Sequence, residues 1–441
     1  MITPEHKNIA QWAMDTALKN GCSAARVSLT VSMNNSFEYR NLQLDKLHQS
    51  SENKLYIELY VDGKYGTFST NRLDKDELDV SIKEGIASTR FLAPDACRVL
   101  PDVSRYYKAK KTDNLDLFDN SYYDYTVDQK LALARSTVEE IKDADSRIVS
   151  VVSSYDDGCG AEYMIASNGF EGMIQDSVFS LTAEVALKTE GDARPESYWY
   201  DSKLYWNDLQ KAGIARKALE RALQKLGQTK IKSGRYNMLL DNTASSRLLS
   251  PLVSAMYGSA LQQKNTFLLD KLGSKIVSDK LTIKDNPHMP CTFGSRWYDG
   301  EGVATRDQVL IDKGVLNTYF IDSYNSLKLN MSPTIASPSV LTIEHGLNNW
   351  NQLLKVMNNG IWVTGFNGGN TNSTTGDFSF GVEGFLIENG NLSTPLSEMN
   401  ITGNILDLWC NLVEVGNDPL SKNSSRQIPS LLFENVSFSG L

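Results

Sequence analysis

Across residues 241–263 the apolar positions Leu248, Leu249, Leu252, Val253, Met256, Tyr257, Ala260 and Leu261 recur at helical spacing. The pattern predicts one helix over 243–263 with a continuous buried stripe. Its other face is small and hydroxylic, with Ser246, Ser250, Ser254 and Gly258 at four-residue steps, so a partner surface can approach the backbone closely. The run 235–240 before it alternates toward an apolar end and reads as a strand feeding the helix.

Upstream, Thr3 and Pro4 open a helix with a capping hydroxyl and a first-turn proline, and Gly21 closes it. Residues 26–33 alternate as a strand, and 55–68 carry Asp62-Gly63 between alternating apolar residues, a hairpin signal. Amphipathic helices are predicted over 74–92 and 127–142, the latter announced by Thr126 and Gln129 as a capping box. From 147 to 187 the period is two, with Asn168-Gly169 as a second hairpin turn. Residues 207–226 read as a helix ending at Gly227, and the polar stretch 228–234 is the candidate boundary. Beyond the central helix strand-like runs dominate (309–320, 360–365, 384–387), with short helices near 349–357 and 405–411. The fold class is therefore α+β in two domains. Residues 1–228 place helices on a mostly antiparallel sheet, and 235–441 form a β-rich domain around one central helix.

Composition narrows the function classes. The chain has 441 residues, of which 41% are hydrophobic and 22% charged, the profile of an ordered globular protein. A net charge of −9 repels phosphate backbones and argues against direct nucleic-acid binding. The basic groups Lys108, Lys110, Lys111 and Lys225, Lys230, Lys232, Arg235 lack interleaved aromatics and read as solvated loops or a domain edge. The N-terminal residues show no basic region followed by an apolar core, and no stretch of about 18 apolar residues occurs. No membrane span is predicted, and the expected location is cytoplasmic. Five widely spaced cysteines suggest reduced thiols.

Few residues offer chemistry by spacing alone. His6, His48, His288 and His345 lie at no ligand spacing. The glycines of 365–370 lack the Lys-Ser/Thr of a nucleotide loop and read as turn formers. Asp299 with Glu301 forms a carboxylate pair without a nearby histidine, and Asp377 sits among glycines where a capping or substrate contact is open to it. Ser51 and Lys54 have a bare Ser-x-x-Lys spacing without the accompanying motifs.

Several blocks resemble the TldD/PmbA family, the modulators of DNA gyrase. They are 264–273 (KNTFLLDKLG), Asp299-Gly-Glu-Gly-Val303 with Thr305, 311–316 (IDKGVL), Ser323-Tyr324 and Lys328-Leu329. Further on come Gly376-Asp-Phe-Ser-x-Gly381, Gly384-Phe385, Ile387-Glu-Asn-Gly390, Ile401-Thr-Gly-Asn404 and Gly416-Asn-Asp418. In the catalytic branch of that family the central helix carries His-Glu-x-x-x-His, two imidazoles holding zinc and a glutamate activating water. Those positions fall here on Ser250, Pro251 and Ala255, and 419–430, where a third, cysteine ligand is expected, contains neither cysteine nor histidine.

The resemblance therefore implies the PmbA/TldE branch, a non-catalytic subunit with no catalytic residue and no metal ligand of its own. Zinc is expected only in a TldD-like partner, and the substrate is an unstructured peptide. The small-residue helix face and the exposed edges of a β-rich domain need covering, which predicts a homodimer or a heterodimer with that partner, and Asp299, Glu301, Gly376, Asp377, Ser379 and Asn404 are the peptide-binding candidates. A regulatory binding module without a peptidase role and a metal-independent hydrolase are the other readings. Positions 250 and 255 lie about 140° apart on an ideal helix, so the sequence predicts that two groups placed there do not converge.

Overall fold

The computed structural model describes residues 1–420 and 424–441. Two compact units emerge, Met1–Leu223 with Arg296–Thr305, and Gln224–Ser295 with Arg306–Leu441.

The first unit is built from α1 (Pro4–Lys19), β1 (Ala24–Arg40), β2 (Gln43–Val61), β3 (Lys64–Thr70), α2 (Lys75–Thr89), α3 (Val127–Glu139), β4 (Ile148–Ala166), β5 (Phe170–Leu187), β6 (Glu196–Lys203) and α4 (Ile214–Gln224). Its strands form one antiparallel sheet in the order β3-β2-β1-β4-β5-β6. The predicted turns hold. Asp62 and Gly63 both have positive φ (52° and 72°), the primed geometry that matches strand twist, and Gly169 closes on Ala166 O at 2.9 Å. Ile9, Ala10 and Ala13 of α1 and Leu78, Ile82 and Ile86 of α2 bury one helix layer against Val27, Leu29, Leu55, Ile57 and Leu59. The helix expected over 207–226 starts only at Ile214. Gly213 stands at φ 83° and its N–H bonds the Glu140 carboxylate at 3.0 Å, so the helical run cannot begin earlier.

In the middle of this sheet a carboxylate is buried completely. Asp157, on β4, accepts the Lys130 ammonium of α3 at 2.6 Å, the Tyr155 hydroxyl at 2.7 Å, the Asn35 amide at 2.7 Å and the Tyr122 hydroxyl. A buried charge persists only when paired and hydrogen-bonded in this way.

The segment Arg296–Thr305, expected in the second domain, packs within the first unit instead. Ala304 N–H bonds Arg105 O at 3.0 Å, Tyr107 N–H bonds Gly302 O at 3.0 Å, and the buried Tyr298 ring lies 5.1 Å from Phe170. A Cβ at Gly172 would meet that ring at 2.7 Å, so only glycine fits beneath it.

The second unit contains β7 (Gly234–Leu240), α5 (Ser246–Ser254), α6 (Gly258–Gln262), β8 (Ile283–Asp285), β9 (Gln308–Asp312), β10 (Val315–Leu316), α7 (Ser323–Leu329), β11 (Leu341–Ile343), α8 (Trp350–Met357), β12 (Gly360–Phe366), β13 (Asn370–Thr371), β14 (Asp377–Glu388), β15 (Asn391–Asn404), α9 (Ile405–Cys410), β16 (Leu412–Val415), β17 (Arg426–Gln427) and β18 (Leu431–Ser439). One sheet runs β12-β7-β18-β15-β14-β13, and a smaller one runs β10-β9-β8-β11-β17. Pairing is antiparallel except for β12 with β7 and β11 with β17. The expected class, helices with mostly antiparallel sheets, is what the chain adopts. Leu248, Leu249, Leu252 and Met256 sit in the core of this unit with Met238, Leu240, Phe380 and Trp409.

The single helix expected over 243–263 is broken in two. Pro251 supplies no N–H to the Arg247 carbonyl, and Met256 and Tyr257 bond back three residues rather than four, to Val253 and Ser254. The chain then pairs with 320, Gly258 N–H reaching Phe320 O at 2.7 Å and Phe320 N–H reaching Met256 O at 2.9 Å. Tyr257 is extended and caps α6. Gly258, predicted to share the open face of Ser250 and Ser254, is instead buried, with a built Cβ 2.9 Å from Asn325 Cβ.

Candidate functional site

The break in the central helix shapes a cleft of about 530 Å³ in the second unit. Ser250, Pro251, Ser254 and Ala255 of the first half and Ser259 and Ala260 of the second form one wall. Gly369, Asn370 and Thr371 form another, with Phe267 and Phe380 as the apolar lining. Ser250 and Ala255 both line this space, although Ala255, whose N–H still bonds Pro251 O at 3.0 Å, continues the helical rotation that sets the two positions apart.

β13 is the last strand of its sheet. Its register with β14 pairs Asn370 with Ser379 and Thr371 with Phe378, and Asn372 N–H bonds Asp377 O at 2.8 Å. Hydrogen-bonded and non-hydrogen-bonded pairs alternate in an antiparallel ladder, so the Thr371 N–H and C=O point away from β14 toward the open edge. Gly368 and Gly369 have φ of 83° and 91°, and a Cβ on Gly369 would strike Ser379 O at 2.1 Å. Gly368 and Gly369 therefore act as turn formers, as expected, and bring the edge onto the cleft, whereas Gly365 belongs to β12 and pairs with Glu383.

Arg247 spans the opening. Its Nη2 donates to Gly369 O at 2.7 Å, and the guanidinium lies 4.8 Å from the centre of the Phe380 ring. The sequence reading missed Arg247 and Thr371. A signal for the first exists, since 247, 250, 251 and 254 share one helical face. None exists for Thr371, which a distant turn delivers.

Four of the candidate residues come together beside this cleft. The Asn404 amide donates to Thr375 O at 2.8 Å and to Asp377 Oδ1 at 3.0 Å, and the Thr375 hydroxyl donates to Asp377 Oδ2 at 2.7 Å. These bonds, the Asn404 amide first and the Thr375 hydroxyl second, hold the Asp377 carboxyl below the usual carboxylate range. Gly376 turns at φ 82°, its carbonyl accepting Ile405 N–H at 2.8 Å, and Ser379 follows on β14. Asp299 and Glu301 belong to the first unit. There Asp299, 2% exposed, accepts Glu301 N–H at 2.9 Å and Val303 N–H at 3.1 Å, shaping its own loop.

The donor set of the central helix does not fit zinc. The Ser250 hydroxyl donates to Ser246 O at 2.8 Å, Pro251 has no side-chain ligand atom, and Ala255 presents a methyl group. Among the described residues no group of three or more His, Cys, Asp or Glu side chains could hold a metal ion. Within 419–430, residues 421–423 lie outside the described residues. The basic run is largely occupied, Lys225 by Glu383 at 2.8 Å and Lys230 by Glu398 at 2.7 Å. The five cysteines are unpaired, and no described helix is long and apolar enough to cross a membrane.

Comparison with known proteins places these features in context. Residues 120–226 match the PmbA/TldA metallopeptidase central domain and residues 233–440 the PmbA/TldA metallopeptidase C-terminal domain. A 1.75 Å crystal structure of a candidate DNA gyrase modulator from Bacteroides thetaiotaomicron is 56% identical, with a TM-score of 0.97 over 100% of both chains. The metalloprotease PmbA homolog of Haemophilus influenzae is 28% identical over 448 residues, covering 99% of this chain and 96% of that protein. TldE from Thermococcus kodakarensis, at 19% identity, shares the fold with a TM-score of 0.83 over 99% of this chain and 100% of its own.

Proposed function

The chain belongs to the PmbA/TldD metallopeptidase family, and from that premise we propose that it is the non-catalytic, TldE-type subunit of a cytosolic peptidase whose zinc is carried by a TldD-like partner. The observation that carries this reading is the identity of the cleft wall. Where the catalytic branch places two imidazoles and a carboxylate, this chain has a hydroxyl already committed to its own helix, a proline and an alanine. The cavity persists while the groups that would cleave a peptide are gone. Its role is then to hold an unstructured peptide. An extended chain adds to a sheet edge through main-chain hydrogen bonds, and the outward N–H and C=O of Thr371 offer such an edge on the cleft. Asp377 and Asn404, fixed to one another by hydrogen bonds, stiffen the turn next to it.

Purified chain, dialysed and analysed for metals, is expected to contain no stoichiometric zinc, and to co-elute with a TldD-type subunit in size-exclusion chromatography with light scattering. One zinc per chain, or a chain that ignores every TldD-type partner, overturns the proposal.

A further inference from the structure

We propose that the cleft beside α5 recognises a carboxylate on its peptide, with Arg247 as the anchoring cation. This deepens the peptide-holding reading and rests on it. Three observations carry it. Arg247 is the one charged side chain among the described residues lining the cleft, in a chain whose net charge is −9. Its guanidinium is pre-positioned: one N–H is held by Gly369 O at 2.7 Å and the plane rests on Phe380, while no carboxylate among the described residues pairs with it. A guanidinium carries five N–H donors, so most of them remain for a ligand. Across the cleft the Thr371 hydroxyl is buried without a hydrogen-bond partner, and the Thr371 N–H points to the same open edge. The one charge presented to the cleft is thus a fixed cation with the Thr371 N–H opposite it, which pairs with a carboxylate and repels an ammonium, while the outward Thr371 C=O is left for the main chain of the peptide.

Holding the cation in place beforehand removes much of the ordering cost of binding. The carboxylate has two sources on a peptide, its C-terminus or an Asp or Glu side chain, and both present the same two oxygens.

The test uses the full chain and three labelled, unstructured octapeptides rich in Ala and Ser: a free acid, its C-terminal amide, and the amide with one internal Glu. Fluorescence anisotropy is expected to show the free acid or the Glu peptide binding at least about 10-fold tighter than the neutral amide, the range of one charge-assisted hydrogen bond. Which of the two gains identifies the source. Arg247→Gln, which retains an amide donor for Gly369 O, is expected to erase the difference, and Arg247→Lys to keep part of it. Equal binding of all three peptides, or a preference that survives Arg247→Gln, overturns the inference and leaves the peptide-holding reading intact. Failure of all three to bind overturns both.

Discussion

Replacing Asp157 by Asn is expected to destabilise the first unit by about 3–5 kcal/mol. The carboxylate is fully buried and the Lys130 side chain only 6% exposed, with 2.6 Å between Nζ and Oδ2. The substituted amide would leave the ammonium without a counter-charge, and its NH₂ would face groups that now donate to Oδ1 or Oδ2, among them the hydroxyls of Tyr122 and Tyr155. The penalty has a ceiling. An ordinary lysine ammonium gives up its proton at pH 7 for about 4.6 kcal/mol, from 3.4 pH units at 1.36 kcal/mol each, so a larger charge cost is relieved by deprotonation. Total stabilities are of order 5–15 kcal/mol, which makes the effect large.

Urea unfolding followed by tryptophan fluorescence reads it, because Trp206 lies 5.6 Å from the Tyr155 ring. The double variant Lys130→Met/Asp157→Asn should cost less than the single one. A single variant within about 1 kcal/mol of the parent, or a double variant costing the sum of its parts, would refute the argument.

Two further outcomes follow from the same structure. Burial pushes the phenols of Tyr123 and Tyr163 up to about 12 and those of Tyr60, Tyr65, Tyr155 and Tyr298 higher. The unfolded chain ionises phenols near pH 10 while these stay neutral in the fold, so stability is fully present below about pH 10 and falls above it; absorbance at 295 nm should show a tyrosine fraction that ionises only with unfolding. The triple variant Ser250→His/Pro251→Glu/Ala255→His should bind zinc weakly and hydrolyse nothing. Positions 250 and 255 stay about 140° apart around the helix, and the described residues offer no third ligand in place; chelator-sensitive cleavage of an unfolded peptide would contradict this.

Local rules were legible wherever the physics was local. The Asp62-Gly63 hairpin and the Thr126 capping box follow from residues within four positions of one another, and both occur. The place of the break was legible only in part: Pro251 is visible as a weak point in the helix, but the chain parts after Ser254 because pairing of Tyr257 and Gly258 with Phe320, about sixty residues on, competes with the helix. The same holds for Arg296–Thr305, whose place is decided by the fit of Tyr298 over Gly172, and for Asp157, whose four donors come from positions 35, 122, 130 and 155. At the candidate site, that Ser250, Pro251 and Ala255 carry neither an imidazole nor a carboxylate is readable from their identities alone. That these residues line a cleft with a sheet edge opposite required the fold.

The central claim, a peptide-holding subunit without chemistry of its own, is tested most directly by reconstitution. Hydrolysis of an unfolded peptide is measured for this chain alone, for a TldD-type subunit alone and for the two together, each with and without a zinc chelator. The account predicts no cleavage by this chain, and chelator-sensitive cleavage by the pair that exceeds that of the TldD-type subunit alone. Cleavage by the isolated chain that survives chelation, or a pair no faster than the TldD-type subunit by itself, would contradict it.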